Sequence, residues 1–218
     1  MRDHELATGH IYHVFSRSIA RYIIFNNDIE YSRILEVIEY YMSERPPASY
    51  SRILYYSTDV QDGYKELNKT KDKAVDIVAY CIMPTHIHLI LKQLRNNGIS
   101  IFMKNILNSY TRYFNTKHER KGPLWEGRFK SVLVGTDEYL MHLTRYVHLN
   151  PATAQIVTKP EEWLYSSYNA YIQNNNQANG FCKYSDLLKI DPKDYKSFVE
   201  DRISYQQELQ RIKKLLLE

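Results

Sequence analysis

The sequence predicts an α+β fold: a ferredoxin-like antiparallel sheet with helices packed on one face, followed by a helical C-terminal extension. Two observations lead to this prediction. Segments with strand and helix patterns follow one another in the order strand, helix, strands, helix, strand, helix. Beyond Pro151 the chain becomes polar, with helical patterns. An order of this kind suits an antiparallel sheet covered by a helical layer.

The first two elements are a strand and a helix. His10–Phe15 is rich in β-branched and aromatic residues, which is typical of a strand. Asp28 is the predicted N-cap of a helix over residues 29–42, whose apolar residues recur with helical spacing. Pro46-Pro47 is expected to end that helix.

The next part of the chain contains the clearest strands. Ile53–Ser57 is predicted as a short strand, and Asp59–Lys73 as an exposed loop or a short helix. Two apolar runs, Ile77–Met83 and Ile87–Leu91, read as strands joined through Pro84-Thr85.

Two further helices flank the last strand. Gly98 precedes a helix predicted over residues 99–115, and Phe129–Val134 is predicted as a strand. Thr136 is expected to cap the helix that follows. Its end is predicted at Asn150, because a proline at position 151 disfavours helical geometry in the residue before it.

The C-terminal part is predicted as a separate helical unit. Asn174–Gly180 has the composition of a linker, and a long helix is expected from Pro192 to Glu218. The predicted organisation is a domain over residues 1–165 and an extension of unknown role over residues 166–218.

Composition places the chain among soluble globular proteins. It has 218 residues, of which 44% are hydrophobic and 25% charged. No apolar run is long enough to cross a membrane, and the N-terminus lacks the apolar core of a signal peptide. Cys81 and Cys182 have no metal-ligand or disulfide-framework spacing. A cytoplasmic setting is expected, with association with the nucleoid during function.

Positive charge is concentrated in one stretch. Residues 104–130 contain seven lysines and arginines against two glutamates, an excess larger than the net charge of +4 of the whole chain. A local excess of this size is typical of a surface that binds a polyanion, although a solvated basic helix face has the same composition.

His86 and His88 stand one residue apart in the second apolar run. Because a strand alternates its faces with a period of two, both imidazoles point the same way and can reach one metal ion. An isolated His-x-His is more often only the polar face of a half-buried strand. The pair therefore needs support from elsewhere in the chain.

That support comes from the helix that begins near Thr136. Tyr146 and Asn150 are four residues apart and share one face of this helix. The Asn150 oxygen can complete a His86, His88 and Asn150 site for a divalent ion, and a nitrogen and oxygen ligand set without thiolate suits Mg²⁺ or Mn²⁺. Tyr146 is then placed to attack a phosphorus atom polarised by the ion.

Four segments carry a family resemblance: Gly9–Arg17, Tyr80–Leu89, Leu124–Phe129 and Tyr146–Pro151. In their order and spacing the chain resembles the HUH-type single-tyrosine transposases, and among them the REP-associated tyrosine transposases. The resemblance covers about residues 8–165. Thr85 stands where relatives more often have Asn, and no counterpart is placed for the region beyond about residue 165.

The resemblance implies a function and roles for the same residues. His86 and His88 correspond to the histidine pair, Asn150 to the third ligand and Tyr146 to the nucleophile. The family cuts single-stranded DNA beside a hairpin and leaves a 5′-phosphotyrosine and a free 3′-hydroxyl, which can rejoin strands. The implied partner is a REP-like hairpin DNA, bound by a monomer or a homodimer.

Alternatives remain open for both residues and function. Tyr110 is the second candidate nucleophile among 20 tyrosines. His142 and His148 could serve as a fourth ligand or a proton carrier, although surface or packing roles are favoured for both. A domesticated hairpin-binding protein without cleavage is the alternative function, and a phosphohydrolase that activates water is a third reading.

Candidate DNA contacts come from the basic tract and its surroundings. Arg17 and Arg128 are favoured for the scissile phosphate, because a guanidinium group binds phosphate through two parallel hydrogen bonds. Trp125 and Phe129 can stack on unpaired bases, although core packing is expected for at least one of them. The predicted DNA-binding set is Arg17, Arg112, Lys117, Arg120, Lys121, Trp125, Arg128 and Lys130.

Overall fold

A four-stranded antiparallel sheet forms the centre of the protein, in the order β2-β3-β1-β4. The computed structural model describes residues 5–44, 46–70, 72–173 and 181–208. The strands are β1 (Ile11–Arg17), β2 (Val75–Met83), β3 (His86–Gln93) and β4 (Lys130–Val134). The predicted α+β class is confirmed, and four of the five predicted strands lie within a few residues of their predicted positions.

Seven α-helices surround the sheet in the described ranges. They are α1 (Asp28–Tyr41), α2 (Tyr50–Ile53), α3 (Thr58–Thr70), α4 (Gly98–Lys117), α5 (Asp137–Thr153), α6 (Tyr168–Ile172) and α7 (Pro192–Glu200). None of the helices described in those ranges is long and apolar enough to cross a membrane.

The predicted short strand at Ile53–Ser57 is wrong, because the chain there forms α2 and the turn after it. Tyr50 and Ile53 are both buried, and their separation of three residues matches one face of a helix rather than alternate positions of a strand. Tyr55 is 90% exposed. The following segment, Asp59–Lys73, is mostly the helix α3, so the helical alternative for it is confirmed.

The start of α1 and the end of the C-terminal helix differ in detail from the prediction. The N-cap of α1 is Asn27, whose side chain accepts from the Glu30 amide, so Asp28 is the first helical residue rather than the cap. The Tyr165 hydroxyl donates to the Asp28 carboxylate at 2.6 Å.

At the other end of the chain α7 ends at Glu200, and after a turn residues 203–208 are helical again. The single helix predicted from Pro192 is therefore interrupted.

The prediction that α5 ends at Asn150 is also wrong, because the helix continues through Pro151 to Thr153. A proline inside a helix leaves the carbonyl four residues earlier, here that of Val147, without its amide donor. The Asn150 side chain replaces the donor: its Nδ2 lies 3.4 Å from the Val147 oxygen and 3.1 Å from the Tyr146 oxygen.

Helices lie against both faces of the sheet. Gln93 of β3 accepts a hydrogen bond from the Ile99 amide in α4, and α4 packs against α1, so these two helices form the predicted layer. The ring of Tyr146 in α5 lies beside His88 of β3. His88 and Gln93 are separated by an odd number of positions on this strand, so their side chains point to opposite faces of the sheet. The helix α5 therefore covers the opposite face, which a prediction of one helical layer did not include.

The segment that crosses residue 165 lies along the free edge of β2. The Ile82 amide donates to the Tyr165 oxygen at 2.9 Å, and the Ser167 amide donates to the Tyr80 oxygen at 3.0 Å. Further along, the Lys183 amide donates to the Ile77 oxygen at 2.8 Å. These bonds satisfy an edge that would otherwise expose unpaired backbone groups. The predicted linker at residues 174–180 and the chain after residue 208 lie outside the described residues.

Glu30 joins α1 to the end of α4. Its carboxylate is fully buried and accepts from Lys117 at 2.9 Å, from His118 at 2.7 Å and from the amide and side chain of Asn26 at 2.8 and 2.9 Å. Burial alone raises the pKa of Glu30, but these donors together lower it from 4.5 to about 2. The ionised carboxylate is therefore the form that stabilises the fold.

We predict that Glu30→Gln lowers the free energy of unfolding at pH 7 by on the order of 2–3 kcal/mol. Because the folded pKa lies below the unfolded one, the contribution of Glu30 is complete above pH 4.5 and is lost as the pH falls towards 2. Urea unfolding at several pH values measures both effects. The exposed Glu39 on the same helix supplies the control Glu39→Gln. An equal loss of stability on acidification in wild type and Glu30→Gln contradicts the prediction.

A second prediction concerns Gly98, the first residue of α4. A Cβ atom there would collide with the Ala74 carbonyl oxygen, a backbone atom that cannot turn away. We expect Gly98→Ala to cost about 1–3 kcal/mol of stability. Gly63 in α3 has no heavy atom within 4 Å of the same added Cβ, so Gly63→Ala should instead stabilise by roughly 0.5–1 kcal/mol. Urea titration of both variants checks the opposite signs.

Candidate functional site

A cleft of about 760 Å³ opens between the sheet and α5. Its walls include His86 and His88 from β3, and Tyr146 and Asn150 from α5. The structure therefore brings together all four residues that the sequence predicted for the chemistry, although they lie some sixty residues apart in the chain.

Strand register explains which side chains face this cleft. In the antiparallel pair β1–β3, Phe15 is opposite His88 and Arg17 is opposite His86. Residues opposite one another in a sheet point to the same face, so these four side chains line one surface together with His13. On α5, the four-residue spacing of Tyr146 and Asn150 turns both towards that surface.

His13 holds the ring of His88. The His13 Nε2 and His88 Nδ1 atoms are 2.9 Å apart, and the two rings are stacked with their centroids separated by 5.2 Å. In the tautomer in which His88 donates from Nδ1, His13 accepts at Nε2 and the Nε2 lone pair of His88 stays available. A histidine that binds a metal usually makes a bond of this kind with its second nitrogen.

Thr85 holds the ring of His86. The Thr85 Oγ1 lies 2.9 Å from the His86 Nδ1, which leaves the His86 Nε2 as the free nitrogen. The rings of His86 and His88 are 5.0 Å apart and nearly perpendicular. The threonine that departs from the more common asparagine of the relatives thus provides an orienting hydroxyl.

Burial keeps the three imidazoles neutral at physiological pH. It lowers the pKa of His13 to about 4, and burial together with the charge of Arg17 lowers that of His86 to about 4. Burial also lowers the pKa of His88 well below its ordinary value, assisted by the neighbouring His86, His13 and Arg17. A neutral imidazole is the form that can bind a metal ion.

The Asn150 amide is oriented by the interrupted hydrogen bonds of α5. Because its Nδ2 donates to the carbonyls of Tyr146 and Val147, its Oδ1 is the atom left to accept or coordinate. Within the described ranges no three His, Cys, Asp or Glu side chains are grouped as a metal site. A divalent ion at this position would have the two histidines and this amide oxygen as its donors, a set that fits Mg²⁺ or Mn²⁺.

Tyr146 is the accessible phenol of the cleft. Its ring stands edge-on to His88 at 5.8 Å and to His13 at 6.1 Å, and 45% of the residue is exposed. Partial burial raises the pKa of Tyr146, while the positive charge of Arg17 and a hydrogen bond with Asn150 oppose that rise. The Tyr146 side chain is therefore open to solvent in the cleft.

The competing candidates lie elsewhere. Tyr110 is fully buried, its hydroxyl donates to the Ile24 carbonyl, and burial raises its pKa, so it is a core residue. His148 is also fully buried and contacts Tyr195 and Ser167. His142 lies within hydrogen-bond distance of Arg145 on the exposed side of α5. Packing and surface roles were favoured for both histidines, and neither lines the cleft.

The predicted DNA-binding residues separate into groups. Arg17, Arg128 and Lys130 line the cleft between the sheet and α5, which we call the catalytic cleft after the role predicted for it from the sequence. Arg112 and Lys117 line a different cleft beside α4. Arg120 holds the turn after α4 through Asn115 and the Pro123 carbonyl. The side chain of Lys121 is exposed and lines none of the three clefts described here.

Trp125 lies in the core rather than on a base-stacking surface. It is 8% exposed, and its indole nitrogen donates to the Leu107 carbonyl and the Thr111 hydroxyl. Phe129 is equally buried. Both rings contribute to the wall of a second cleft, which adjoins the catalytic cleft at Arg128 and Lys130.

Sequence reasoning missed two cleft residues. His13 was predicted only as part of the strand His10–Phe15, and its bond to His88 depends on a register that the sequence does not specify. Glu126 is the acidic side chain of the cleft lining. Its amide donates to the Arg17 carbonyl at 2.9 Å, which fixes this loop against the end of β1. The segment Leu124–Phe129 belongs to the motifs of the family resemblance, and that was the available signal.

Comparison with known proteins first gives the class. The family model described as "Transposase IS200 like" matches residues 50–150, a range that includes His86, His88, Tyr146 and Asn150 but not β1. Over this range, which is less than half of the chain, the sequence is similar to that of the IS200-like transposases.

A curated relative carries the name of a particular branch. A Haemophilus influenzae protein named "Putative REP-associated tyrosine transposase" is 26% identical over 124 residues, which cover 52% of this chain and 69% of the relative. A solved REP-associated tyrosine transposase, bound to a REP hairpin, matches in fold with a TM-score of 0.54 and 14% identity over 84% of this chain and 88% of that one. The predicted resemblance to REP-associated tyrosine transposases is confirmed.

We predict that His13→Ala weakens Mn²⁺ binding about 10- to 100-fold, because His88 loses the bond that orients its ring. Isothermal titration calorimetry with Mn²⁺ measures the affinity. His10→Ala is the matched control, since His10 is exposed and its Nδ1 approaches only the Thr8 carbonyl among the described residues. Equal affinities of His13→Ala and wild type would show that His13 does not orient a ligand.

Proposed function

We propose that this protein is a metal-dependent single-stranded DNA endonuclease and strand transferase that acts beside a hairpin. The observation that supports it most strongly is the meeting of His86, His88, Asn150 and Tyr146 in one cleft. Two oriented imidazoles, one oriented amide oxygen and one accessible phenol form a set with few other uses. The basic side chains in the same cleft suit a polyanionic substrate.

His86, His88 and Asn150 are the proposed ligands of the divalent ion. An ion bound there supplies Lewis-acid stabilisation of the charge that develops on the phosphate oxygens. The protein fixes the ligands in advance: His13 and Thr85 orient the imidazoles, and the carbonyls of α5 orient the amide.

Tyr146 is the proposed nucleophile. Its oxygen forms a bond to the scissile phosphorus while the bond from phosphorus to the 3′ oxygen breaks, which leaves a 5′-phosphotyrosine and a free 3′-hydroxyl. The phenol proton leaves to solvent, to which the half-exposed side chain has access, and the departing 3′ oxygen takes up a proton from solvent to become the hydroxyl. Attack of a 3′-hydroxyl on the phosphotyrosine reverses these changes and rejoins a strand.

Arg17 and Arg128 are proposed to hold the scissile phosphate. Both line the cleft on the side of β1 and the loop after Trp125. A guanidinium group donates two parallel hydrogen bonds to phosphate and therefore fixes its orientation as well as its position. Lys130 adds charge without that geometry.

The proposed substrate is a REP-like hairpin with an adjoining single strand. The solved structural neighbour is bound to a REP hairpin, and the curated relative carries the same class name. All four candidate chemical groups come from one chain and line one cleft. This arrangement favours the monomer among the two predicted oligomeric states, because no second copy is needed to complete the site.

The central prediction is that Tyr146→Phe abolishes a covalent protein–DNA adduct. Full-length protein, a labelled hairpin oligonucleotide and Mn²⁺ should give an SDS-resistant adduct, and the variant should lower its rate of formation by at least about 10³-fold. Tyr139→Phe is the matched control, because Tyr139 is similarly exposed on the same helix but does not line the cleft. An unchanged adduct with Tyr146→Phe would overturn the assignment.

The same reaction separates the alternative functions. Removal of the ion with EDTA should stop adduct formation and leave hairpin binding measurable. A protein that only binds hairpins gives a binding isotherm and no product with any ion. A phosphohydrolase gives free 5′-phosphate ends and no protein–DNA link.

A further inference from the structure

A basic cleft beside α4 is not used by the proposed chemistry. It has a volume of about 870 Å³ and lies between α1, the segment around α2, and α4. We call it the α1/α4 cleft. Its lining includes four cationic side chains, Arg33, Lys104, Arg112 and Lys117, and no aspartate or glutamate among the described residues.

Arg33 is the unusual member of this group. It is 8% exposed, and its Nε atom has no hydrogen-bond partner among the residues that the structure describes. Its Nη2 makes one long contact of 3.4 Å with Ser51. The guanidinium lies between the rings of Tyr50 and Tyr113, at 4.5 and 5.0 Å from their centroids. Aromatic faces hold the cation in place, but they leave its Nε donor unsatisfied.

The remaining cations of the cleft are unequal. Lys117 is paired with the buried Glu30 at 2.9 Å. Lys104 and Arg112 are exposed and make no ion pair with any side chain in the described ranges. A largely buried arginine with a free donor and two unpaired cations at the same opening are the features of a site that accepts anionic oxygen.

The α1/α4 cleft connects to the catalytic cleft through the second cleft. Lys104 and Asn108 line both the α1/α4 cleft and this second cleft. Arg128 and Lys130 line both the second cleft and the catalytic cleft. A path marked by basic side chains therefore runs from Tyr146 to Arg33, and a phosphodiester chain has the repeated charge that such a path recognises.

We propose that the α1/α4 cleft binds the phosphate backbone of a single-stranded segment of the DNA substrate, away from the cleaved bond. Tyr55, which is 90% exposed, stands on its lining and offers a face on which an unpaired base can stack. This inference rests on the proposed DNA substrate. The cleft anchors the strand, and the catalytic cleft cuts it.

The test uses the full chain and a fluorescein-labelled oligonucleotide with a hairpin and a single-stranded flank. The double variant Lys104→Gln/Arg112→Gln removes two exposed cations and should leave the fold intact. We expect its affinity to fall roughly ten- to thirtyfold near 0.1 M salt, and the slope of log K against log salt to decrease by about 1.4. Lys189→Gln is the control, because Lys189 is exposed and lines none of the three clefts. Anisotropy titrations at several salt concentrations give both quantities.

Two further variants examine the buried arginine and the stacking residue. Arg33→Met keeps most of the hydrocarbon stem and removes the charge, and it should lower DNA affinity while circular dichroism shows a folded protein. Tyr55→Ala should weaken binding of the flanked hairpin and leave binding of the hairpin without its flank unchanged. If Arg33→Met does not fold, the exposed double variant and Tyr55→Ala still decide the proposal.

Adduct formation distinguishes this proposal from the proposed function. At saturating DNA the double variant should form the Tyr146 adduct at the wild-type rate, whereas a lower rate would assign the cleft to the chemistry and overturn the anchoring role. Absence of any adduct in wild type would refute the cleavage function but leave the binding measurement valid. Wild-type affinity and salt slope in the double variant would overturn the proposal. The proposal would also be overturned if inorganic phosphate strongly raised the thermal stability of wild type while the cleft variants bound DNA as wild type does. That result would indicate a site for a small anion.

Discussion

The position of α5 against β3 is the constraint on which the site depends. One side of α5 carries Tyr146 and Asn150 into the catalytic cleft, and the opposite side carries the fully buried His148. The two nitrogens of His148 lie 2.7 Å from the Tyr195 hydroxyl and 2.7 Å from the Ser167 hydroxyl. Ser167 is itself bonded to the backbone of Tyr80 in β2. The helix that carries Tyr146, the proposed nucleophile, is thus tied to the sheet through the C-terminal segment.

This connection gives a physical role to the region beyond residue 165, for which the resemblance offered no counterpart. Burial lowers the pKa of His148 to about 3, so the ring is neutral and makes one bond as donor and one as acceptor. A neutral buried ring with both nitrogens satisfied fixes a rotation of α5 more sharply than apolar packing alone, because an apolar contact has no preferred direction. The division at residue 165 stays a prediction, and a separated first domain would lack this fixation of α5.

Asn150 shows how one residue can serve both the helix and the site. A helix that continued past Pro151 without Asn150 would leave the Val147 carbonyl without a donor. The side-chain nitrogen of Asn150 supplies a donor, and this bond determines where the oxygen of the same amide points. Glutamine at this position would have one more rotatable bond and would need a different backbone contact to be fixed in the same way.

The sequence alone was sufficient to predict side-chain directions that follow from the periodicity of a strand or a helix. Alternation on β3 placed His86 and His88 on one face, and helical spacing placed Tyr146 beside Asn150. It was insufficient to predict contacts that depend on the register between strands or on residues far away in the chain. The bond between His13 and His88 requires Phe15 to pair with His88, and a shift by one residue would turn His13 to the other face. The α2 segment was misread because four apolar and aromatic residues in a row fit a strand as well as a short helix.

Two buried charged residues of α1, Glu30 and Arg33, differ in their partners, and this difference separates a structural role from a binding role. Glu30 is surrounded by donors from Asn26, Lys117 and His118, and every bond adds to the stability of the contact between α1 and α4. Arg33, one turn along the same helix, is equally removed from water but has an unsatisfied donor and no ion pair among the described residues. A buried cation in that state costs stability, since its lost hydration is not replaced by a carboxylate. Its arrangement beside Lys104 and Arg112 would be explained by an anion from outside the chain, such as a phosphate of the proposed DNA substrate.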